Sequence, residues 1–141
     1  MPLKLSLKPG EKFVLNGAVV QNGDRRSALL LQNKASVLRE KDIMQFEDAT
    51  TPARRIYFPV MMMYLDQSDW ERYQDAFVKR LSEFMGAVHN PDVLADCVNI
   101  SRQVMAKEYY KALMLCRKLI EYEDERLGNV APRLSAGGAS V

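Results

Sequence analysis

PGEKFVLNGAVVQNGDRR, residues 9–26, carries three turn signals in one short segment. Pro9-Gly10 suits the central positions of a type II turn, because proline presets the first φ and glycine accepts the positive second one. Asn16-Gly17 separates the apolar runs Phe13-Val14-Leu15 and Ala18-Val19-Val20, the pattern of a two-residue hairpin. Asn22-Gly23 opens another turn and delivers Asp24, Arg25 and Arg26 to its exit. The segment predicts a small β meander with two arginines at a loop.

Working outward, Leu3, Leu5 and Leu7 alternate with Lys4, Ser6 and Lys8, the period of a strand with one apolar face. After the meander, Ala28 to Leu31 is a short apolar run, expected to be a strand buried on both sides. Asn33-Lys34 turns the chain, Ser36 to Arg39 is a weaker strand, and Glu40-Lys41-Asp42 ends the region. About five short strands in residues 1–44 predict an antiparallel barrel or curled sheet. Its edges call for a second copy of the chain or cover from the helices.

Residues 45–50 are a polar connector, and residues 51–127 read as about four helices. Thr51-Pro52 is a helix start, cap then proline. Pro59 inside ARRIYFPVMMMYLD is expected to kink or split the first helix. Its apolar surround makes it the bridge to the sheet, with Ile56 and Phe58 among the contacts. Met61, Met62 and Met63 read as core filling or as an adaptable partner surface. Ser68 with Glu71 forms a capping-box pattern. Behind it Trp70, Tyr73, Phe77, Leu81, Phe84 and Val88 make one apolar stripe. Asn90-Pro91 opens the next helix, and a last one spans about Lys107 to Leu127, with Gly128-Asn129 as its stop. Residues 128–141 are small and polar and are expected to be a disordered tail. The fold class is therefore α+β.

With 141 residues and a net charge of +2, the whole protein is not a basic nucleic-acid binder. The charge is uneven, however. Residues 1–42 hold eight Lys and Arg against four Asp and Glu, a balance of +4 that leaves −2 for the rest. Cys97 and Cys116 lie on helical stripes without CxxC spacing, the pattern of buried thiols in a reducing cytoplasm, although sequence leaves their pairing open. The N-terminal residues lack the apolar core of a signal peptide, and the longest apolar run, Ile56 to Leu65, is too short to span a membrane. The single histidine, His89, has no second ligand set nearby, and no nucleotide-loop or nucleophile-elbow motif occurs. Glu121, Glu123, Asp124 and Glu125 read as a solvated face. No enzyme activity, metal or cofactor is expected.

The chemistry present is basic. Lys8, Lys12, Arg25 and Arg26 lie on or beside turns, where they could reach a phosphate backbone, and Lys34 and Arg39 extend the set of RNA-binding candidates. Arg54 and Arg55 oppose the dipole at the first helix start. They are read as ion-pair partners of Glu47 or Asp48, or, with Met61, Met62 and Met63, as a partner-binding surface.

Residues 3–44 (LKLSLKPGEKFVLNGAVVQNGDRRSALLLQNKASVLREKDIM), then TPARRIYFPVMMMYLD (51–66) and YYKALMLCRKLIEYED (109–124), resemble the FlbT family of flagellin biosynthesis repressors. The resemblance implies association with the 5′ untranslated region of flagellin mRNA and promotion of its decay. It also implies a small partner, FlaF, and it transfers no catalytic residue. The alternative is a protein that binds flagellin or FlaF and affects the mRNA indirectly. More loosely, Gly10-Glu11 and Arg39, Glu40 and Ile43 are similar to CsrA-type repressors, intertwined β dimers that bind leader RNA.

Overall fold

The computed structural model describes residues 3–127. Five strands, β1 (Leu3–Leu7), β2 (Lys12–Leu15), β3 (Ala18–Gln21), β4 (Ser27–Leu31) and β5 (Val37–Arg39), precede four helices. These are α1 (Pro52–Leu65), α2 (Trp70–Ala87), α3 (Pro91–Met105) and α4 (Tyr109–Arg126). The α+β class expected from sequence is the class found. The expected stop at Gly128-Asn129 and the tail lie outside the described residues.

The strands do not close into a barrel. They form a two-stranded ribbon, β1–β4, and a three-stranded sheet in the order β3–β2–β5, all antiparallel. The turns behave as their residues require. Asn16 and Gly17 take φ of 49° and 84°, both in the left-handed region, and Leu15 pairs with Ala18 directly across them. Gly10 takes φ of 71°, and the Glu11 N–H donates to the Lys8 carbonyl at 3.1 Å, closing the type II turn.

One face of the three-stranded sheet carries Val14 opposite Leu38, and both belong to the buried cluster of the helices. Leu5, Leu7, Phe13 and Val37 are buried outside that cluster, and they make the β region's own core. Four side chains make a small core for residues 3–39, and through Val14 and Leu38 the sheet shares the core of the helices.

The run Ala28–Leu31 is not buried on both sides. Leu29 is 37% and Leu30 61% exposed. β4 has β1 as its one partner strand, and the exposure of these leucines shows that no second layer among the described residues covers this face.

α1 is the centre of the helical part. It packs against α2 on one side and α4 on another, and α3 lies on α4. Its start follows the sequence: Thr51 Oγ1 accepts from the Arg54 N–H at 3.4 Å, and Pro52 takes the first position. Pro59 does not split the helix, which runs unbroken to Leu65. Proline inside a helix costs about 3 kcal/mol; packing of Ile56, Val60 and Met63, all at 0% exposure, supplies the compensation. The capping box is replaced by another arrangement. Asp66 Oδ1 accepts from the Ser68 N–H at 3.1 Å and the Ser68 hydroxyl at 2.6 Å. This builds a single 3-10 turn, Gln67–Asp69, before α2, so Ser68 lies inside that turn and Asp69, not Ser68, precedes the first residue of α2. α4 begins at Tyr109 rather than Lys107, because Lys107 takes φ of 60° in the link that closes α3.

α1 bridges to the sheet as expected, but hydroxyl and sulfur groups join it as well as Ile56. β5 is an edge strand, and the Val37 N–H and carbonyl both meet the Tyr64 hydroxyl, at 2.8 and 2.9 Å. The Tyr57 hydroxyl donates to the Asp42 carbonyl at 2.7 Å, and the Met44 N–H reaches Met61 Sδ at 3.2 Å. Arg117 of α4 pairs with the buried Asp42 carboxylate at 2.8 Å. Phe58 is half-buried and meets the exposed Phe46 edge-on.

Candidate functional site

The chemistry gathers where the Pro9-Gly10 loop meets the Asn22–Arg26 loop. The Gly10 N–H donates to the Gly23 carbonyl, and the Asn22 N–H to the Glu11 carbonyl, both at 2.8 Å. The Asn22 side chain then fastens the two loops. Its amide Nδ2 donates to the Lys8 carbonyl at 2.8 Å, to the Arg25 carbonyl at 2.9 Å and weakly to the Leu7 carbonyl at 3.4 Å, while Oδ1 accepts from the Ser27 hydroxyl at 2.8 Å. Asparagine is suited to this position because one short side chain offers two donors and an acceptor.

This clasp brings Lys8, Arg25 and Arg26 to one end of the β1–β4 ribbon. All three are exposed. The register pairs Leu7 with Ser27, so Lys8 and Arg26 continue it at the tip. None of the three takes part in an ion pair among the described residues. Three cations held on adjoining backbone, open to solvent, fit phosphate oxygens better than a protein core.

The other basic candidates are placed differently. Lys12 is exposed at the start of β2, and its backbone N–H donates to Glu40 Oε1 at 2.8 Å. Lys34 is exposed in the β4–β5 loop, toward the opposite end of the ribbon. Arg39 is committed internally: its guanidinium grips Glu11, at 2.9 Å from Nη2 and 3.1 Å from Nε, and also donates to the Ser6 carbonyl. The Glu11 carboxyl is held below its ordinary range, first by the Lys8 N–H that it accepts and then by Arg39. The Glu11–Arg39 pair thus ties ribbon, meander and β5 together behind the tip.

At the start of α1, Arg54 pairs with Asp124 at 2.9 Å and lies 3.7 Å from Glu123, both on α4, rather than with Glu47 or Asp48. Arg55 is exposed and reaches the Ala49 carbonyl at 3.4 Å. Met61 and Met63 are buried in the core, and Met62 is half-buried. Of the five partner-surface candidates, Arg55 alone is openly presented.

The carboxylate run of α4 is not uniformly solvated. Glu123 is buried, and its Oε2 accepts from the Ala53 N–H at the start of α1, at 2.9 Å. A carboxylate there satisfies an otherwise unpaired helix donor and suits the positive end of the dipole. Glu123 was detectable in the sequence, since it continues the buried stripe of Cys116 and Leu119 at helical spacing. The two thiols are free and buried. Burial pushes Cys97 up to about 11 and Cys116 higher still. Among the described residues no group of three His, Cys, Asp or Glu could hold a metal ion, and no helix is long and apolar enough to cross a membrane.

Fold and tip together define an α+β protein with an exposed basic tip on its β part and a helical body behind it. The family described as flagellar protein FlbT matches residues 3–127. The chain is 77% identical over 131 residues to the probable flagellum biosynthesis repressor protein FlbT of Caulobacter sp. (strain K31), covering 93% of this chain and all of that one. It is 75% identical to the flagellum biosynthesis repressor protein FlbT of Caulobacter vibrioides (strain ATCC 19089 / CIP 103742 / CB 15), covering 98% of each. With the probable repressor of Rhodopseudomonas palustris (strain TIE-1) it shares 41% identity, over 90% of this chain and 98% of the relative. No solved structure matches. The chain belongs to the FlbT family of flagellar proteins. Repression of flagellum biosynthesis is the function these relatives support.

Proposed function

We propose that the chain represses flagellum biosynthesis after transcription, by binding the 5′ leader of flagellin mRNA in the cytoplasm and favouring its decay. The observation that carries this reading is the tip: Lys8, Arg25 and Arg26 are gathered by Asn22 and exposed, with no ion-pair partner among the described residues. The protein supplies no catalysis in this reading; it positions RNA. A FlaF-like protein or flagellin that docks on the helices would reach the tip through Tyr57, Tyr64 and Asp42, the joints between the two parts.

Phosphate contacts make affinity fall with salt, with a slope of about 0.7 per contact on single strands. Three contacts give a log–log slope of about −2. Arg25→Ala with Arg26→Ala should weaken leader binding and flatten that slope by about 1.4 while the protein stays folded. Unchanged binding in the double variant would remove the tip from the RNA site.

A second reading has its own support. Val98 and Met105 on α3 and Tyr110 on α4 are exposed, and apolar side chains on helices can receive a partner helix. In that reading the chain binds flagellin or FlaF and the mRNA effect is indirect. Retention of flagellin or FlaF after nuclease treatment, with no leader binding by the pure protein, would favour it.

A further inference from the structure

β4 is an open edge. Among the described residues β1 is its one partner strand. Ser27 to Leu30 are exposed, and Leu31 is half-buried. Residues paired across two strands point to the same side of the sheet. The register therefore puts Leu3, Leu5, Leu7, Leu29 and Leu31 on one face of the ribbon, and Lys4, Ser6, Ala28 and Leu30 on the other. Leu5 and Leu7 are buried, whereas Leu3 is 53% exposed and Leu29 is open beside Leu5. The leucine face starts in the core and runs out past its cover.

Soluble proteins blunt such edges with a charge, a proline or a bulge. The β4 sequence, SALLL, has neither charge nor proline, and its five pairs with β1 run without a bulge. A two-stranded ribbon is marginal in water, and a further strand secures it. β1 carries Lys4 on its length, and β3 already lies in a three-stranded sheet. β4 is the edge that another strand would complete.

The sequence of β4 suits its own copy. In an antiparallel pair about a twofold axis normal to the sheet, the residue on the axis meets itself and both strands keep their faces. With Leu29 on the axis, Ala28 meets Leu30, Ser27 meets Leu31 and Arg26 meets Gln32, while Asp24 falls at the same end as Lys34 of the second copy. An axis at Ala28 would set Arg26 against Leu30, and an axis at Leu30 would set Arg26 against Lys34. Like charges directly opposite are destabilising, and a charge facing leucine gains no cross-strand partner. Of the three registers, the one centred on Leu29 avoids both.

We propose that the chain forms a twofold dimer through β4, a four-stranded antiparallel ribbon in the order β1–β4–β4–β1 with Leu29 on its axis. The inference does not rest on RNA binding, but it places the two basic tips. Arg26 lies opposite Gln32 of the second copy, six residues from that copy's Arg26, so the tips stand about 20 Å apart along the strands.

Sedimentation equilibrium of the full chain from about 1 to 100 μM tests the dimer; a short strand contact should give reversible association with a dissociation constant in the micromolar range. Leu29→Lys sets two like charges together on the axis and should raise that constant at least about tenfold, with an unaltered circular dichroism spectrum. Should that variant not fold, Leu29→Cys carries the test. Opposed Cα atoms in an antiparallel pair are about 4.5–5.5 Å apart, within disulfide reach, so oxidised glutathione should convert the variant to a covalent dimer. Ala28→Cys and Leu30→Cys should cross-link more readily when mixed than either does alone. Cys97 and Cys116 are buried and do not compete. A chain that stays monomeric up to about 100 μM would overturn the proposal, whatever else covers β4. So would a dimer that a folded Leu29→Lys variant leaves intact or that Leu29→Cys fails to cross-link, since its contact would lie elsewhere, on β3 or on α3. A dimer without leader binding would sink the RNA reading alone, and leader binding by a lasting monomer would sink this inference alone.

Discussion

Asn22→Ala should loosen the basic tip before it disturbs anything else. The wild-type side chain makes two good donations, at 2.8 and 2.9 Å, a weak one at 3.4 Å, and one acceptance at 2.8 Å. Each good bond contributes roughly 1 kcal/mol net. The loop carbonyls it serves are largely exposed, so water recovers part of the loss, and the expected cost is about 1–2 kcal/mol. For a chain of this size each kcal/mol lowers the melting temperature by roughly 2–4 °C. Thermal denaturation followed by circular dichroism measures that shift. Amide exchange should show the backbone N–H groups of Gly10 and of position 22 losing protection while α1 keeps its own. Asn22→Asp should cost more than alanine, because a carboxylate would face the Lys8 and Arg25 carbonyls with no proton to share. Leader RNA affinity should fall in both variants although no cation has been removed. A variant melting within 1 °C of wild type with unaltered exchange at Gly10 would refute the clasp.

Tyr64→Phe removes the hydroxyl that meets both backbone groups of Val37, so stability should drop by about 1–2 kcal/mol in urea titration, with the β strands losing exchange protection first. Arg117→Ala leaves the buried Asp42 carboxylate without its partner; because Arg117 is itself 43% exposed, the expected loss is about 1–2 kcal/mol rather than that of a fully buried pair. The Glu11 carboxyl sits below its ordinary value of 4.5 when folded. Its contribution is therefore complete above that value and is lost as pH falls through the lower folded value. Glu11→Gln should flatten stability against pH below about pH 4.5 and leave the slope between pH 6 and 8 untouched.

The turns were legible in the sequence because their chemistry is local. Asn16-Gly17 needs two positive φ values, and few other pairs supply them. The α1 start was legible for the same reason, since a cap and a proline act within one turn. Ala28–Leu31 misled because an apolar run does not say whether a second layer will cover it; here none does. Ser68 misled because Asp66, two residues earlier, caps a 3-10 turn that takes in Ser68, so α2 starts later than the pattern implies. Arg54 found Asp124 seventy residues away, and local spacing carries no trace of such a pair. The basic tip lay between these cases. Its residues were evident, but the role of Asn22 as the fastener emerged only once the two loops were side by side.

Direct binding of flagellin leader RNA by the basic tip is the step on which the proposed function rests. A gel-shift titration of the pure protein on that leader, at fixed salt and against a scrambled competitor, tests it most directly. The expected result is a shift that the scrambled RNA does not abolish and that Arg25→Ala with Arg26→Ala weakens. No shift by the pure protein, or one removed equally by scrambled RNA, would contradict it.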